Sequence, residues 1–313
     1  AIFIGEAPGR AEVEQARPFC LVPETLVLFA DLSWRQLDSV KIGDRLLTLE
    51  ENAPAGAGVS KYAARRWTIA TVTALHEREA SETRRVVTEF GELTGTLDHR
   101  VLAKGTGATP IWREMRRLIC GGSRHSNIVG VGRPWSQPNT FDAGWIAGLL
   151  DGEGFIDGSR TPALAKSSRR RKHGGVGFAQ NAGPVLTQAE RLIREHGFSL
   201  RTREKIRSTH ETSANTCYSV RVAGGFVEVL RFLGTFRPTR LLADFMRVFP
   251  EMSRGSRNVP AAAVLSLSAA GPRRVLDLTT TAGTFIANGH VVHNCGPSGE
   301  ILNEAIATGT QEQ

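Results

Sequence analysis

This chain predicts a mainly β protein with an α+β unit inserted into it, on three observations. Residues 20–120 and 258–294 read as short apolar runs separated by Gly, Asp, Asn and Pro. Residues 141–257 change to helical runs alternating with strands, in the order αββαββα. Charge separates the two parts. Residues 141–257 hold 19 of the 39 Lys and Arg but only 11 of the 31 Asp and Glu, so the remainder is neutral and the net charge of +8 falls wholly in the insert. A basic module in a neutral host points to a polyanionic partner for that module alone.

The β elements follow in order. Leu26-Val27-Leu28, Leu46 to Leu49, Thr68 to Leu75 and Val86-Val87 are the first strand candidates, with a turn over Asp38–Asp44 and a flexible loop over 51–60. Residues 121–140, rich in Gly, Pro, Ser and Asn, read as a linker. Strand character returns with Val264 to Leu267, Val275 to Leu278 and Phe285 to Ala287.

The insert opens with a helical run from Phe141 to Leu150, followed by Asp151-Gly152-Glu153-Gly154. Gly144, Gly148 and Gly152 recur every four residues and share one helix face. Each glycine costs a helix about 1 kcal/mol relative to alanine, an expense that makes sense where a second helix must approach closely. Then come a strand over Val176–Gln180, an amphipathic helix over 184–196, strands near 198–207 and 216–223, and a helix over 225–236.

Hydrophobic content of 41% and charged content of 22% are ordinary for a globular protein. The chain shows neither a long apolar span nor a basic-then-apolar leader, so it is expected to be cytoplasmic, with no membrane partner. Cys20, Cys120, Cys217 and Cys295 are too scattered for a disulfide scaffold, and Cys120 and Cys217 are expected to be buried thiols acting as small hydrophobes.

Two places look cut for joining. Cys20 follows Phe19, and Asn294 is followed at once by Cys295. Cys20 can attack the Phe19 carbonyl and turn an amide into a thioester, and Cys295 can take over the acyl group. The Asn294 amide can attack its own backbone carbonyl and release the segment. Residues 1–19 and 295–313 read as one continuous sequence once 20–294 are removed.

Cys20 to Val27, Gly95-Thr96-Leu97-Asp98-His99, Val275 to Leu278 with Phe285 to Gly289, and Val291 to Cys295 resemble, in order, the splicing blocks of inteins. The resemblance covers about 20–120 and 259–294 and implies the Hint fold, an all-β horseshoe. It implies that His99 protonates the leaving nitrogen, that Thr96 hydrogen-bonds the same peptide, and that Asp277 helps activate Cys20. His293 is expected to polarise the carbonyl attacked by Asn294. Many inteins carry a further histidine at the position of Gly283 here, and either His290 substitutes or His293 acts alone.

Ile146 to Gly154 resembles the motif of LAGLIDADG homing endonucleases, a likeness covering roughly 141–257. It implies that Glu153 binds Mg²⁺ for phosphodiester cleavage while Asp151 serves the helix end. Arg201, Arg203, Lys205 and Arg207 alternate by two and would line one face against double-stranded DNA, with Gln180 and Arg240 as further contacts. One motif copy implies a homodimer. An insert that binds DNA without cutting is the alternative.

Joined across the seam, the flanks (GEAPGR…ARPF and CGPSGEIL) resemble iron–sulfur uracil-DNA glycosylases, which would place Glu6 near a glycosidic bond and Phe19 against a flipped base. The flanks are fragments, too short for that activity.

Overall fold

The computed structural model describes residues 20–53, 65–105, 109–156, 175–204, 216–252 and 259–294. Expectations for Glu6, Phe19, Lys205, Arg207 and Cys295 lie outside the described residues. The chain divides into two compact units, one built from the residues up to Pro134 and from Val259 onward, the other from Trp135–Asn258.

The first unit is antiparallel β structure. Its strands are β1 (Leu26–Leu28), β2 (Trp34–Gln36), β3 (Arg45–Leu49), β4 (Trp67–Ala80), β5 (Thr83–Thr88), β6 (Gly91–Thr96), β7 (Arg100–Lys104), β8 (Ile111–Glu114) and β9 (Asn127–Val129). After the second unit it resumes with β14 (Ala261–Ala269), β15 (Arg273–Thr280), β16 (Thr284–Ala287) and β17 (His290–His293). One sheet runs β2-β1-β16-β17-β7-β9-β14-β5-β6, with β8 on β7, and another runs β15-β4-β3. The inward positions of these strands supply one core that includes Leu21, Val27, Leu46, Val86, Val101, Ile128, Phe285 and Val292. Burying each such side chain is worth about 1.5–3 kcal/mol, which sets the strand register because a one-residue slip would expose the whole set.

The β16–β17 hairpin turns on Asn288-Gly289, with φ of 44° and 83°. Both central residues of a type I′ turn need positive φ, and Asn-Gly supplies it. The Asn288 side chain also accepts from Leu26 N at 2.7 Å and donates to Glu92 O at 2.9 Å, so the turn is tied to its neighbours.

Two expectations fail. Residues 121–140 are no simple linker, because Asn127–Val129 pairs with both β14 and β7. Ile128, Val129 and Val131 are buried, and that apolar, β-branched run outweighs the turn-forming residues around it. Cys120 is exposed and its thiol donates to Leu265 O at 2.9 Å, while Cys217 is half-buried, so neither is a core thiol.

The second unit comprises α1 (Phe141–Glu153), β10 (Gly154–Ile156), β11 (Val176–Asn181), α2 (Pro184–Glu195), β12 (Leu200–Glu204), β13 (Cys217–Val222), α3 (Phe226–Phe236) and α4 (Thr239–Met252). Its antiparallel sheet runs β10-β11-β13-β12. Thr140 starts α1 by accepting from Ala143 N at 3.3 Å, and Ala143, Ile146 and Leu150 form its buried face. Edge-on aromatic pairs close the core, with Phe198 and Phe232 at 5.1 Å and Phe232 and Phe236 at 5.0 Å.

The helix α4 extends the expected order by one element. Leu241, Phe245, Val248 and Phe249 are buried at helical spacing, and Arg237 in the left-handed region followed by Pro238 breaks α3 from α4. Among the described residues no helix is long and apolar enough to cross a membrane.

Candidate functional site

Cys20 enters the first unit through backbone pairing. Leu21 exchanges hydrogen bonds with Leu276 of β15, at 2.8 and 2.7 Å. Thr96, at the end of β6, grips the residue before it. Its N–H donates to Cys20 O at 2.9 Å, and its Oγ1 accepts from Cys20 N at 3.2 Å. That nitrogen belongs to the Phe19–Cys20 peptide. Gly95 makes the approach possible, since a Cβ there would stand 2.6 Å from Cys20 O.

Asp277 and His99 are fully buried, and His99 N closes a turn onto Thr96 O at 3.1 Å. Burial pushes the Cys20 thiol up to about 12, with the Asp277 carboxylate adding to the shift. Arg78 hydrogen-bonds the sulfur and acts in the opposite direction. The thiol is therefore a neutral S–H at neutral pH. Arg78, Thr96, Asp98 and Arg116 line a cavity of about 170 Å³ beside this seam. Sequence reasoning missed Arg78, because nothing in its own strand sets it apart from the charged residues around it.

The downstream seam follows directly on β17. His293 Nδ1 is 2.6 Å from the carbonyl oxygen of Asn294, the carbonyl of the Asn294–Cys295 peptide. The Asn294 amide is fixed by Nδ2 donating to Gly283 O at 2.6 Å and Oδ1 accepting from Thr280 N at 2.7 Å. Its backbone N–H also donates to Gly283 O, at 3.2 Å. Asp277 and Thr280 share β15, about 10 Å apart along the strand, so one strand runs from the Cys20 end to the Asn294 end.

His290 has a different setting. It is fully buried, its Nε2 is 2.7 Å from Thr88 Oγ1, and burial lowers its pKa to about 4. It alternates with Val291 and His293 along β17, and therefore points away from the face that carries His293.

In the second unit, the expected residues do not gather on one surface. The register pairs Arg201 with Arg221 and Arg203 with Ser219, whereas Gln180 pairs with Tyr218. Alternation puts Arg201, Arg203 and Arg221 on one face of the sheet and Gln180 on the other. Arg221 lies over the Phe155 ring at 4.9 Å. Arg240 is engaged within the fold, donating to the carbonyls of Leu150, Asp151 and Gly154 and so closing the C-terminus of α1. Asp151 caps α4, accepting from Thr239 N and Arg240 N at 2.9 Å each.

Gly144, Gly148 and Gly152 face open space, and Glu153 is exposed at the end of α1. With Asp151 committed to capping, Glu153 stands as a single carboxylate. Among the described residues no group of three or more His, Cys, Asp or Glu could hold a metal ion. Mg²⁺ bound there would need oxygens from a phosphate or a second copy of the chain.

No family model matches the chain, and no curated protein matches it in sequence. Among solved structures it resembles an Ssp DnaB mini-intein variant, with a TM-score of 0.36, 10% identity and coverage of 90% of this chain and 96% of that one. The bacterial intein-like domain from Clostridium thermocellum gives 0.38 and 11%, covering 88% and 98%. The DnaX mini-intein from Spirulina platensis gives 0.37 and 13%, covering 88% and 99%. Scores of this size establish neither family nor activity.

Proposed function

We propose that the chain is a self-splicing intein of the Hint type, which excises residues 20–294 and joins Phe19 to Cys295. One observation carries this reading. The peptide groups at both ends of the segment are held by the residue types that the exchange needs, Thr96 on Cys20 N and His293 on Asn294 O. The Cys20 sulfur bonds to the Phe19 carbonyl carbon and the Cys20 nitrogen leaves, taking a proton for which His99 is the donor. Cys295 sulfur then displaces Cys20 sulfur. The Asn294 Nδ2 bonds to its own backbone carbonyl carbon and expels the Cys295 nitrogen as an amine, leaving a succinimide. That amine finally takes the acyl group from its own sulfur, forming the new peptide bond.

The test expresses the chain with longer flanks and weighs the products by mass spectrometry. Wild type yields the excised segment and the ligated flanks, and Cys20→Ala blocks cleavage at the upstream seam. Intact ligation by Cys20→Ala would sink the mechanism.

For the Trp135–Asn258 unit we propose a LAGLIDADG-type, Mg²⁺-dependent endonuclease acting on double-stranded DNA as a homodimer. Support comes from the open glycine face of α1, the exposed Glu153 and the basic face bearing Arg201, Arg203 and Arg221. A unit that binds DNA without cutting is the second outcome of the same assay. The host resembles a uracil-DNA glycosylase, and the intein-free host gene is the expected target.

A further inference from the structure

Glu51 lies two residues beyond the end of β3, in a segment whose sequence gives no sign of a role. Its backbone is clamped, since its carbonyl oxygen accepts from Arg65 Nε at 2.8 Å and from Trp112 Nε1 at 3.3 Å. Next to it, Thr284 Oγ1 donates to Leu49 O and lies 2.9 Å from Thr48 Oγ1, fixing β16 against β3. The side chain that emerges places Oε1 3.1 Å from His293 Nε2. The Trp112 ring stands edge-on to the imidazole, with centroids 5.0 Å apart, and limits its rotation.

The chemistry follows from counting donors. A neutral imidazole has one N–H and one lone pair. Here both nitrogens face acceptors, the Asn294 carbonyl on one side and a carboxylate on the other. Satisfying both requires a proton on each nitrogen, and the resulting cation is balanced by Glu51. We infer that Glu51 is a positioning residue that holds His293 doubly protonated against the Asn294 carbonyl, so that the downstream cleavage is served by a Glu51–His293 pair.

This inference rests on the splicing reading for its consequence. When Asn294 Nδ2 attacks, negative charge grows on the carbonyl oxygen, and an imidazolium stabilises it better than a neutral ring. A proton on that ring is also available to the departing Cys295 nitrogen. Among the described residues, the ionisable groups next to the ring are Glu51 itself and Arg65, which faces Glu51 and lies over the Trp112 ring at 5.5 Å. Trp112, Thr280 and Thr284 contribute no charge.

The experiment uses the full chain with extended flanks and a Cys20→Ala background, which isolates cleavage at Asn294. Glu51→Gln should slow that cleavage by about tenfold or more. The alkaline limb of its rate profile should move to lower pH, and Glu51→Asp should restore part of the rate. In a Cys20-containing chain, thiol-induced cleavage at the upstream seam should be unchanged. Imidazole ¹⁵N shifts of His293 give a readout that needs no cleavage: a doubly protonated ring at neutral pH in wild type, and its loss in Glu51→Gln. An unaltered rate, profile and ¹⁵N signature in Glu51→Gln would overturn the inference. So would equal losses at both seams, which would mean a fold defect. If wild type never cleaves at Asn294, the splicing reading fails, and the ¹⁵N spectra still decide whether Glu51 holds the cation.

Discussion

A Cβ at Gly283 would stand 2.7 Å from Oε2 of Glu51. The two residues exclude each other's growth: the carboxylate occupies the space into which any side chain at 283 would project. Gly283 also has φ of +72°, where an L side chain is strained. At the same time its carbonyl holds both nitrogens of Asn294. Position 283 is thus one where glycine is needed and an acid fills the space beside it.

Gly283→Ala is therefore expected to displace Glu51 and to destabilise the fold by about 1 kcal/mol or more. Cleavage at Asn294 should slow while thioester formation at Cys20 persists. Thermal unfolding combined with mass analysis of the two cleavage products checks both parts.

His293→Ala removes the donor on the Asn294 carbonyl. We expect cleavage at that seam to fall by about a hundredfold and branched or thioester species to accumulate. A SDS-gel time course of wild type and variant separates those species from the excised segment. Equal rates would remove His293 from the chemistry.

Cys20 titrates abnormally, pushed up to about 12 by burial and by Asp277. Its alkylation should rise only well above pH 9, unlike that of exposed Cys120, and peptide mapping after pulsed alkylation distinguishes the two thiols. Arg78→Ala removes a neighbour that favours the thiolate, so it should slow alkylation further at any given pH. The sign for stability follows from proton binding. Between the ordinary thiol value and about 12 the unfolded chain loses a proton that the folded chain keeps, so stability falls as pH rises through that window. Cys20→Ala should flatten this fall.

His290 gives the opposite window. Its pKa is lowered from 6.5 to about 4 by burial, so below pH 6.5 the unfolded state takes up a proton that the folded state refuses. Its contribution is complete above pH 6.5 and declines by about 3 kcal/mol toward pH 4. Denaturant midpoints of wild type and His290→Gln across that range test it. The variant should lose less stability on acidification and keep its cleavage at Asn294, since His290 is bonded to Thr88 rather than to the seam.

The sequence exposed what local chemistry dictates. The strands around Leu46, Val86 and Val275 follow from residue type and spacing. Contacts between distant segments were hidden. Glu51 meets His293 across 242 positions, and Arg78 reaches Cys20 from another strand, so neither has a local signature. The strand Asn127–Val129 was masked by the turn-forming residues around it, and Arg240 looked free only because the carbonyls it binds lie some 86 to 90 positions upstream.

Asp151 and Glu153 should separate cleanly by experiment. Asp151 accepts from two backbone N–H groups at the start of α4, so Asp151→Ala should cost about 1–2 kcal/mol of stability in the Trp135–Asn258 unit. Glu153 is exposed and carries the proposed metal role, so Glu153→Gln should leave the melting temperature unchanged, abolish Mg²⁺-dependent cutting of the intein-free site and spare binding. That binding should weaken steeply with salt, and Arg221→Ala should reduce the slope by about one phosphate contact. Gly148→Leu fills the open face of α1 and should block dimer formation without disturbing the core, since a Cβ there meets nothing within 4 Å among the described residues. Analytical ultracentrifugation and a plasmid-nicking assay read these effects. Undiminished cutting by Glu153→Gln, or cutting by a proven monomer, would overturn the endonuclease reading. A wild-type protein that binds the site but never cuts it would leave the unit a DNA-binding module.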